Sequence, residues 1–130
     1  MGFTLDIINK VYFYKERIIH MLLTTKLRNQ IRKNTNIPLE FYVRNIAING
    51  QKRGCSGHIV NTDTKVTVYI NTEEVALSSL KGYCMCRYAR DIKDYSSHNL
   101  GAIGRNRWYK ESDFPKAVAQ MLETPREQIR

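Results

Sequence analysis

Apolar residues recur at helical spacing near both ends of the chain, which has 130 residues. The first stripe, uninterrupted by glycine or proline, consists of Ile7, Val11, Tyr14, Ile18 and Leu22. A spacing of three or four residues marks one face of a helix, so the pattern predicts helix over residues 5–33. Thr25 is a suitable cap for a second piece, which leaves one helix or two as alternatives. Residues 1–23 are accordingly a helical appendage or an extension of the first helix, and residues 24–130 are predicted to form a single α+β domain.

The second helical stripe lies near the carboxyl end and has clearer boundaries. It consists of Phe114, Ala117, Val118, Met121 and Leu122. Ser112 is the expected cap, and Pro115 falls in the first turn, where its missing N–H costs nothing. Pro125 ends the pattern. A helix with one apolar face needs an apolar surface to cover, so this helix is predicted to pack on a sheet.

Between the two ends the pattern changes to that of β-strands. In residues 65–71, KVTVYIN, valine and isoleucine alternate with threonine, tyrosine and asparagine. Strict alternation predicts a half-buried strand of an antiparallel hairpin. Residues 39–48 (LEFYVRNIAI) are a predicted strand because they are rich in β-branched and aromatic residues, and residues 55–61 (CSGHIVN) and 83–89 (YCMCRYA) are predicted strands as well.

The remaining segments are predicted turns, a short helix and one long loop. The stretch NGQKRG, residues 49–54, is a predicted turn with Lys52 and Arg53 at its tip. Residues 73–81 are a predicted short helix, and residues 91–111 a loop of a length that is often functional. The whole order predicts an α+β fold: one N-terminal helix or two, three to four strands in a mostly antiparallel sheet, and a C-terminal helix packed on one face.

The charge of the chain is strongly positive and unevenly distributed. The net charge is +9, with 21 Lys and Arg against 12 Asp and Glu. Residues 1–38 hold seven cations and two anions, a net charge of +5, and residues 81–110 hold the same numbers. The segment between them is neutral. A basic domain of this kind prefers polyanionic partners, so the distribution favours nucleic acid, DNA or RNA.

Three basic elements are the candidate binding residues, for nucleic acid or for another partner. They are Arg28, Arg32 and Lys33 on the first helix, Lys52 and Arg53 on the hairpin, and Arg105, Arg107 and Lys110 in the long loop. If they converge, they form a groove that follows a phosphate backbone. The only tryptophan, Trp108, lies among the last three; near the start of a helix it is expected to face the core, leaving the cations exposed.

The residue pattern gives little support for catalysis or for metal binding. Cys55 and His58 are spaced C-x-x-H, and Cys84 and Cys86 are spaced C-x-C, but zinc needs four convergent ligands. Because Cys84 and Cys86 lie two apart on a predicted strand, core thiols are the better interpretation. No cofactor, metal or catalytic residue is therefore predicted. A metal-dependent nuclease built on Asp91, Lys93 and Asp94 ranks third among the functions, because such tripeptides arise by chance in basic proteins.

The leading hypothesis is a small non-enzymatic protein that binds nucleic acid mainly through phosphate contacts. The alternative is a protein–protein inhibitor or adaptor of a nucleic-acid-handling complex, of the type found among phage and mobile-element accessory factors, such as an anti-defence protein. Arginine and aromatic residues dominate protein interfaces as well, so the same residues fit both. Three cysteines cannot all pair, and free thiols persist in reducing compartments, so a cytoplasmic location is expected. No apolar stretch reaches the roughly 18 residues of a transmembrane helix.

Overall fold

A computed structural model describes residues 24–48, 50–72, 83–90 and 101–129. Its elements are helix α1 (Thr24–Arg32), strands β1 (Leu39–Ile48), β2 (Gln51–Asn61), β3 (Thr67–Asn71), β4 (Tyr83–Ala89) and β5 (Ala102–Lys110), helix α2 (Phe114–Glu123) and a short 3-10 helix (Arg126–Gln128). The strands form one sheet in sequence order, with all neighbours antiparallel. The architecture is α+β as predicted, but the sheet has five strands, not three or four.

Both helices pack on the same face of the sheet. Helix α1 buries Leu27 and Ile31, and α2 buries the apolar stripe seen in the sequence. The sheet contributes side chains that alternate along the strands to the same core cluster: Cys55, Ile59, Val68, Ile70, Cys84, Cys86 and Tyr88. This alternation is what a sheet with one helix-covered face requires, because successive side chains point to opposite sides. The burial of the cysteines confirms their interpretation as core thiols.

Several boundaries differ from those predicted. Strand β2 begins at Gln51, so the predicted turn at residues 49–54 is shorter, and Lys52 and Arg53 lie in the strand instead of at the hairpin tip. The N-cap of α2 is Asp113, not Ser112, and its side chain makes no capping hydrogen bond. Helix α1 covers the second part of the predicted helical region. The first part, residues 5–23, and the predicted helix at residues 73–81 lie outside the described residues.

The carboxyl end of α2 is tied to the sheet by two side-chain hydrogen bonds. The Tyr88 hydroxyl donates to the backbone carbonyl of Met121 at 3.0 Å, and the Asn61 amide donates to that of Leu122 at 3.0 Å. The last carbonyls of a helix have no partners within it, so the sheet supplies donors that the helix lacks. The same Asn61 accepts hydrogen bonds from the backbone N–H groups of Asp63 and Thr64, in the turn between β2 and β3.

Strand β2 is buried on both faces from Gly54 to Asn61, and β3 and β4 are partly buried on the face opposite the helices. On the face opposite the helices, Val60 pairs with Thr67, and both are at most 3% exposed. Met85 on β4 is buried on that face as well. Most of the exposed side chains of the sheet therefore lie on its edge strands, β1 and β5. Within the part of the chain that the structure describes, no helix is long and apolar enough to cross a bilayer.

Candidate nucleic-acid interface

The stretch expected to close a long loop is instead the edge strand β5. It pairs with β4 from Ala102 to Lys110, so the prediction of a loop over residues 91–111 is wrong for residues 102–110. The pairing contains a bulge, because Cys86 faces Arg107 whereas Tyr88 faces Ile103. Gly104, with φ of +77°, lies in this bulge, where a left-handed backbone favours glycine. The bulge adds two residues to β5, and most of the strand is exposed, so the sequence pattern shows no regular alternation of apolar residues there.

Strand β5 exposes all three of its cations, as predicted. Arg105, Arg107 and Lys110, which we call the β5 cations, have exposed side chains. The prediction for the tryptophan is wrong: Trp108 is half-buried and pairs with Met85 on the face opposite the helices. Its neighbour Tyr109 pairs with Cys84 and packs against the core cluster instead. The alternation of the strand thus puts tyrosine, not tryptophan, on the helix-covered side.

One of the β5 cations is held by an aromatic ring. The guanidinium carbon of Arg107 lies 5.0 Å from the centroid of the Tyr88 ring. On the other sheet face, the guanidinium carbon of Arg87 lies 4.5 Å from the centroid of Tyr69. Cation–π contacts at such distances orient a guanidinium without neutralising it. These arginines consequently keep their charge available to an anionic partner.

A second basic surface lies where α1 meets β1. The guanidinium carbons of Arg28 and Arg32 lie 5.7 Å and 5.0 Å from the centroid of the same ring, that of Phe41. We call these two residues the arginine pair. Arg32 is exposed, Arg28 is half-buried, and Phe41 packs against the core cluster. The start of the helix is fixed to the same strand, because the backbone N–H of Thr24 donates to the Asn45 side chain at 3.0 Å.

Lys33 faces a different part of the molecule from the arginine pair. It lines a groove of about 340 Å³ between the end of α1 and the start of α2. The other lining residues are Gln30, Asn34, Glu111, Ser112, Pro115 and Lys116. Burial raises the pKa of the Glu111 carboxyl above its usual value. Glu111 directly follows Lys110, so Lys33 lies on the side of the molecule where β5 ends. Lys116 lines the same groove and is a further basic residue of this surface.

For Lys52 and Arg53, the two cations of the β1–β2 hairpin, only the position of the backbone is described. Lys52 pairs with Ala47 at the end of β1, next to a register shift between Ile46 and Ala47. That position is two residues from Asn45, the residue to which the start of α1 is bonded. The side chains of Lys52 and Arg53 lie outside the described part of the structure. Their backbone thus lies on β2, next to the edge strand β1 on which the arginine pair packs.

The predicted basic elements therefore occupy two edges of the sheet. Neighbouring strands are about 4.8 Å apart, so the four spacings between β1 and β5 amount to roughly 19 Å. The arginine pair lies at one edge and the β5 cations at the other. Within the described residues, none of these five cations forms an ion pair. Phe41 and Lys116 were not among the residues predicted from the sequence; a cation in the first turn of a helix, where anions are favoured, was the available signal for Lys116.

The cysteines and His58 do not form a common site. Cys55 lies in the core beneath the helices, whereas His58, three residues later on the same strand, pairs with Tyr42 and Tyr69 on the opposite face. Burial raises the pKa of Cys55 to about 11, although a hydrogen bond from Thr72 and the charge of Arg28 lower it in part. Burial also raises the pKa of Cys86, to about 12. Such thiols stay protonated at neutral pH.

No cluster of three or more metal-binding side chains is found in residues 24–48, 50–72, 83–90 and 101–129. The residues of the nuclease alternative, Asp91, Lys93 and Asp94, lie outside these ranges, as does His98. No protein-family model matches the chain, no curated protein matches it in sequence, and no solved structure matches its fold. The function has to be inferred from the residues of this chain.

Proposed function

We propose that this protein binds nucleic acid through contacts to phosphate groups and acts by binding, without catalysis. The observation that carries the proposal is the exposure of cations that have no anionic partner in the described structure. The β5 cations are all exposed, and the arginine pair and Lys33 are exposed or half-buried. Uncompensated surface cations are the groups that release counterions when they bind a phosphate backbone.

The positions of these cations favour an extended ligand. Because they lie on both edges of the sheet, roughly 19 Å apart, one compact anion does not reach them all. A nucleic-acid duplex carries a phosphate about every 3.4 Å along each strand, so it presents charges over the whole distance. Spacing of the cations thus supports a polymer and not a single small phosphate compound as the ligand.

Burial of the sheet face argues for phosphate contacts over base stacking. Proteins that stack bases on a sheet need exposed aromatic rings on its central strands. Here the central positions of the second face are occupied by buried residues such as His58 and Thr67. Among the described residues of that face, the exposed aromatic side chain is that of Tyr42, at the edge, while Tyr69 and Trp108 are half-buried. We therefore propose that binding depends mainly on charge and little on base sequence.

The proposal is tested by measuring affinity for labelled single- and double-stranded DNA and RNA at several salt concentrations. The wild-type protein is expected to lose affinity steeply as salt rises, with a linear relation between the logarithms of the two quantities. Arg105→Gln/Arg107→Gln removes two β5 cations and is expected to reduce the slope by about 1 to 2. The matched control is Arg44→Gln/Lys65→Asn, which removes two exposed cations elsewhere; asparagine suits the φ of +66° at Lys65.

Absence of binding to all four ligands at low salt contradicts the proposal. In that case the alternative function, a protein–protein inhibitor or adaptor of a nucleic-acid-handling complex, becomes the leading one. A single stoichiometric protein partner whose capture depends on the same arginines supports that alternative. An equal loss of affinity in the β5 variant and in the control variant also contradicts a specific role for β5, because overall charge then explains binding.

A further inference from the structure

Two arginines share one aromatic ring at the junction of α1 and β1. Arg28 and Arg32 are one helical turn apart, and such residues have Cβ atoms about 5–6 Å apart on the same side of a helix. Their guanidinium carbons lie 5.7 Å and 5.0 Å from the centroid of Phe41. Two positive charges on one ring repel each other, and like charges at this spacing destabilise a helix. The arrangement therefore costs free energy unless an anion joins it.

The geometry of the pair is fixed before any ligand arrives. Helix α1 is anchored by Leu27 and Ile31, which are completely buried, and by the hydrogen bond from Thr24 to Asn45. Phe41 pairs with the buried Ile59 across β1 and β2. The ring and the helix are thus both attached to the core. A guanidinium held on a rigid ring loses little conformational entropy when it binds, which increases affinity.

The hydrogen-bonding capacity of the pair is incompletely used. The Nε of Arg28 is buried and has no hydrogen-bond partner, and neither arginine forms an ion pair within the described residues. The carboxylate nearest in sequence on β1, that of Glu40, instead accepts a hydrogen bond from the Tyr42 hydroxyl. Arginine offers its donors in a planar fork that matches the oxygens of phosphate. The buried Nε of Arg28 is not accessible to a ligand, so it is the outer Nη groups of the two guanidinium forks, with their uncompensated charge, that favour an oxyanion.

We propose that the arginine pair, supported by Phe41, is a phosphate clamp that binds one phosphodiester group of the nucleic-acid backbone. This inference rests on the proposed function and adds the place and the chemistry of a specific contact. The guanidinium forks donate hydrogen bonds to the non-bridging phosphate oxygens, while the ring keeps both forks in position. Nothing in this contact reads a base, so it fixes the position of the backbone only.

The test compares two double variants that separate charge from geometry. Arg28→Gln/Arg32→Gln removes the charge and is expected to lower the slope of log affinity against log salt by about 1 and the affinity about tenfold at low salt. Arg28→Lys/Arg32→Lys keeps the charge but loses the planar fork, so the slope is expected to stay while affinity falls a few-fold. Arg44→Gln/Lys65→Asn is the matched control, since Arg44 lies on the same strand but points to the opposite sheet face from Phe41.

A direct readout avoids dependence on the folding of the glutamine variant. In the wild-type protein, the NMR signals of the Arg28 and Arg32 Nε–H groups are expected to shift on titration with a short oligonucleotide. Shifts produced equally by inorganic phosphate at the same concentration mean that an adventitious ion site is present, which overturns the clamp. Phe41→Leu keeps both charges and the apolar volume of the site, and it is expected to weaken binding without changing the slope.

Failure of the clamp and failure of the proposed function give different results. If the wild-type protein binds and Arg105→Gln/Arg107→Gln weakens binding, but the arginine-pair variants bind like the control, the clamp is wrong and the function stands. If the wild-type protein binds none of the nucleic acids at low salt, both are wrong. If the lysine variant equals the wild type in affinity, charge alone suffices and the stacked geometry has no role.

Discussion

At Gly57 the close approach of strands β1 and β2 leaves no room for a side chain. Its φ is +145°, and a Cβ built on it lies 2.1 Å from the carbonyl oxygen of Tyr42 and 2.7 Å from the Cα of Val43. Both contacts are with backbone atoms of β1, which cannot move aside without breaking the pairing of β1 with β2. Gly50 provides the contrast, since it also has a positive φ but has nothing within 4 Å of such a Cβ.

Gly57→Ala is accordingly expected to destabilise the protein by roughly 3–5 kcal/mol, because it combines backbone strain with a clash in the sheet. Gly50→Ala adds only the strain of a left-handed residue and is expected to cost about 1 kcal/mol. Urea unfolding of the two variants measures the difference. Equal costs at the two positions would show that the close approach to β1 is unimportant.

At the scale of elements, α2 depends on the sheet for the end of its hydrogen-bond ladder. Asn61→Ala removes the donor to the Leu122 carbonyl and the acceptor for the turn at Asp63 and Thr64, all at a site that is 3% exposed. We expect a loss of about 2–3 kcal/mol in unfolding free energy. Tyr88→Phe removes only the hydrogen bond to Met121 and is expected to cost about 1 kcal/mol.

Hydrogen exchange of the last turn of α2 is the measurement specific to this element. Exchange there is expected to accelerate in both variants more than exchange in β3, if local opening of the helix end is the consequence. Thr62→Ala is the control, since its hydroxyl makes only a long, exposed hydrogen bond of 3.4 Å to Pro38. Uniform acceleration throughout the described chain would assign the two side chains to global stability instead.

The elements also show which kinds of structure a sequence pattern reveals. Strand β4 lies inside the sheet between β3 and β5 and buries most of its residues, and its position was predicted correctly. Strand β5 was missed because it has only one partner in the described sheet, exposes most of its side chains, and contains a bulge. Periodicity reports regular burial of one face, and an edge strand with a bulge has little of it. The side chain of Trp108 was assigned to the wrong face for the same reason.

At the scale of the whole molecule, three thiols with raised pKa values link stability to alkaline pH. Burial raises the pKa of Cys55, Cys84 and Cys86 above their usual value near 9 in the folded protein. Between about pH 9 and 11 the unfolded chain therefore loses thiol protons that the folded protein retains. The stabilising contribution of these thiols is therefore constant below about pH 9. Above that pH the free energy of unfolding decreases, by up to about 1.4 kcal/mol per pH unit for each thiol.

Urea unfolding at pH 7.5, 9 and 10 tests this dependence, with tyrosine and lysine titration as the background. Cys86→Ala is expected to lose stability at pH 7.5 through a cavity beside Met121, whose sulfur lies 3.5 Å from that of Cys86. Its decline between pH 9 and 10 is expected to be shallower than that of the wild type by up to about 1.4 kcal/mol. An identical decline in both proteins would mean that this thiol ionises alike in the folded and unfolded states.

The sequence by itself determined the fold class, the apolar stripe of α2, the strands with regular alternation, the burial of the cysteines and the exposure of Arg105, Arg107 and Lys110. These properties follow from local periodicity and composition, which depend only on neighbouring residues. The tertiary structure alone decided that β5 completes the sheet, that Trp108 faces away from the helices while Tyr109 packs against the core cluster, and that Arg28 and Arg32 meet on Phe41. Each of these depends on strand register or on packing between segments that are distant in sequence. A local sequence pattern contains no information about either.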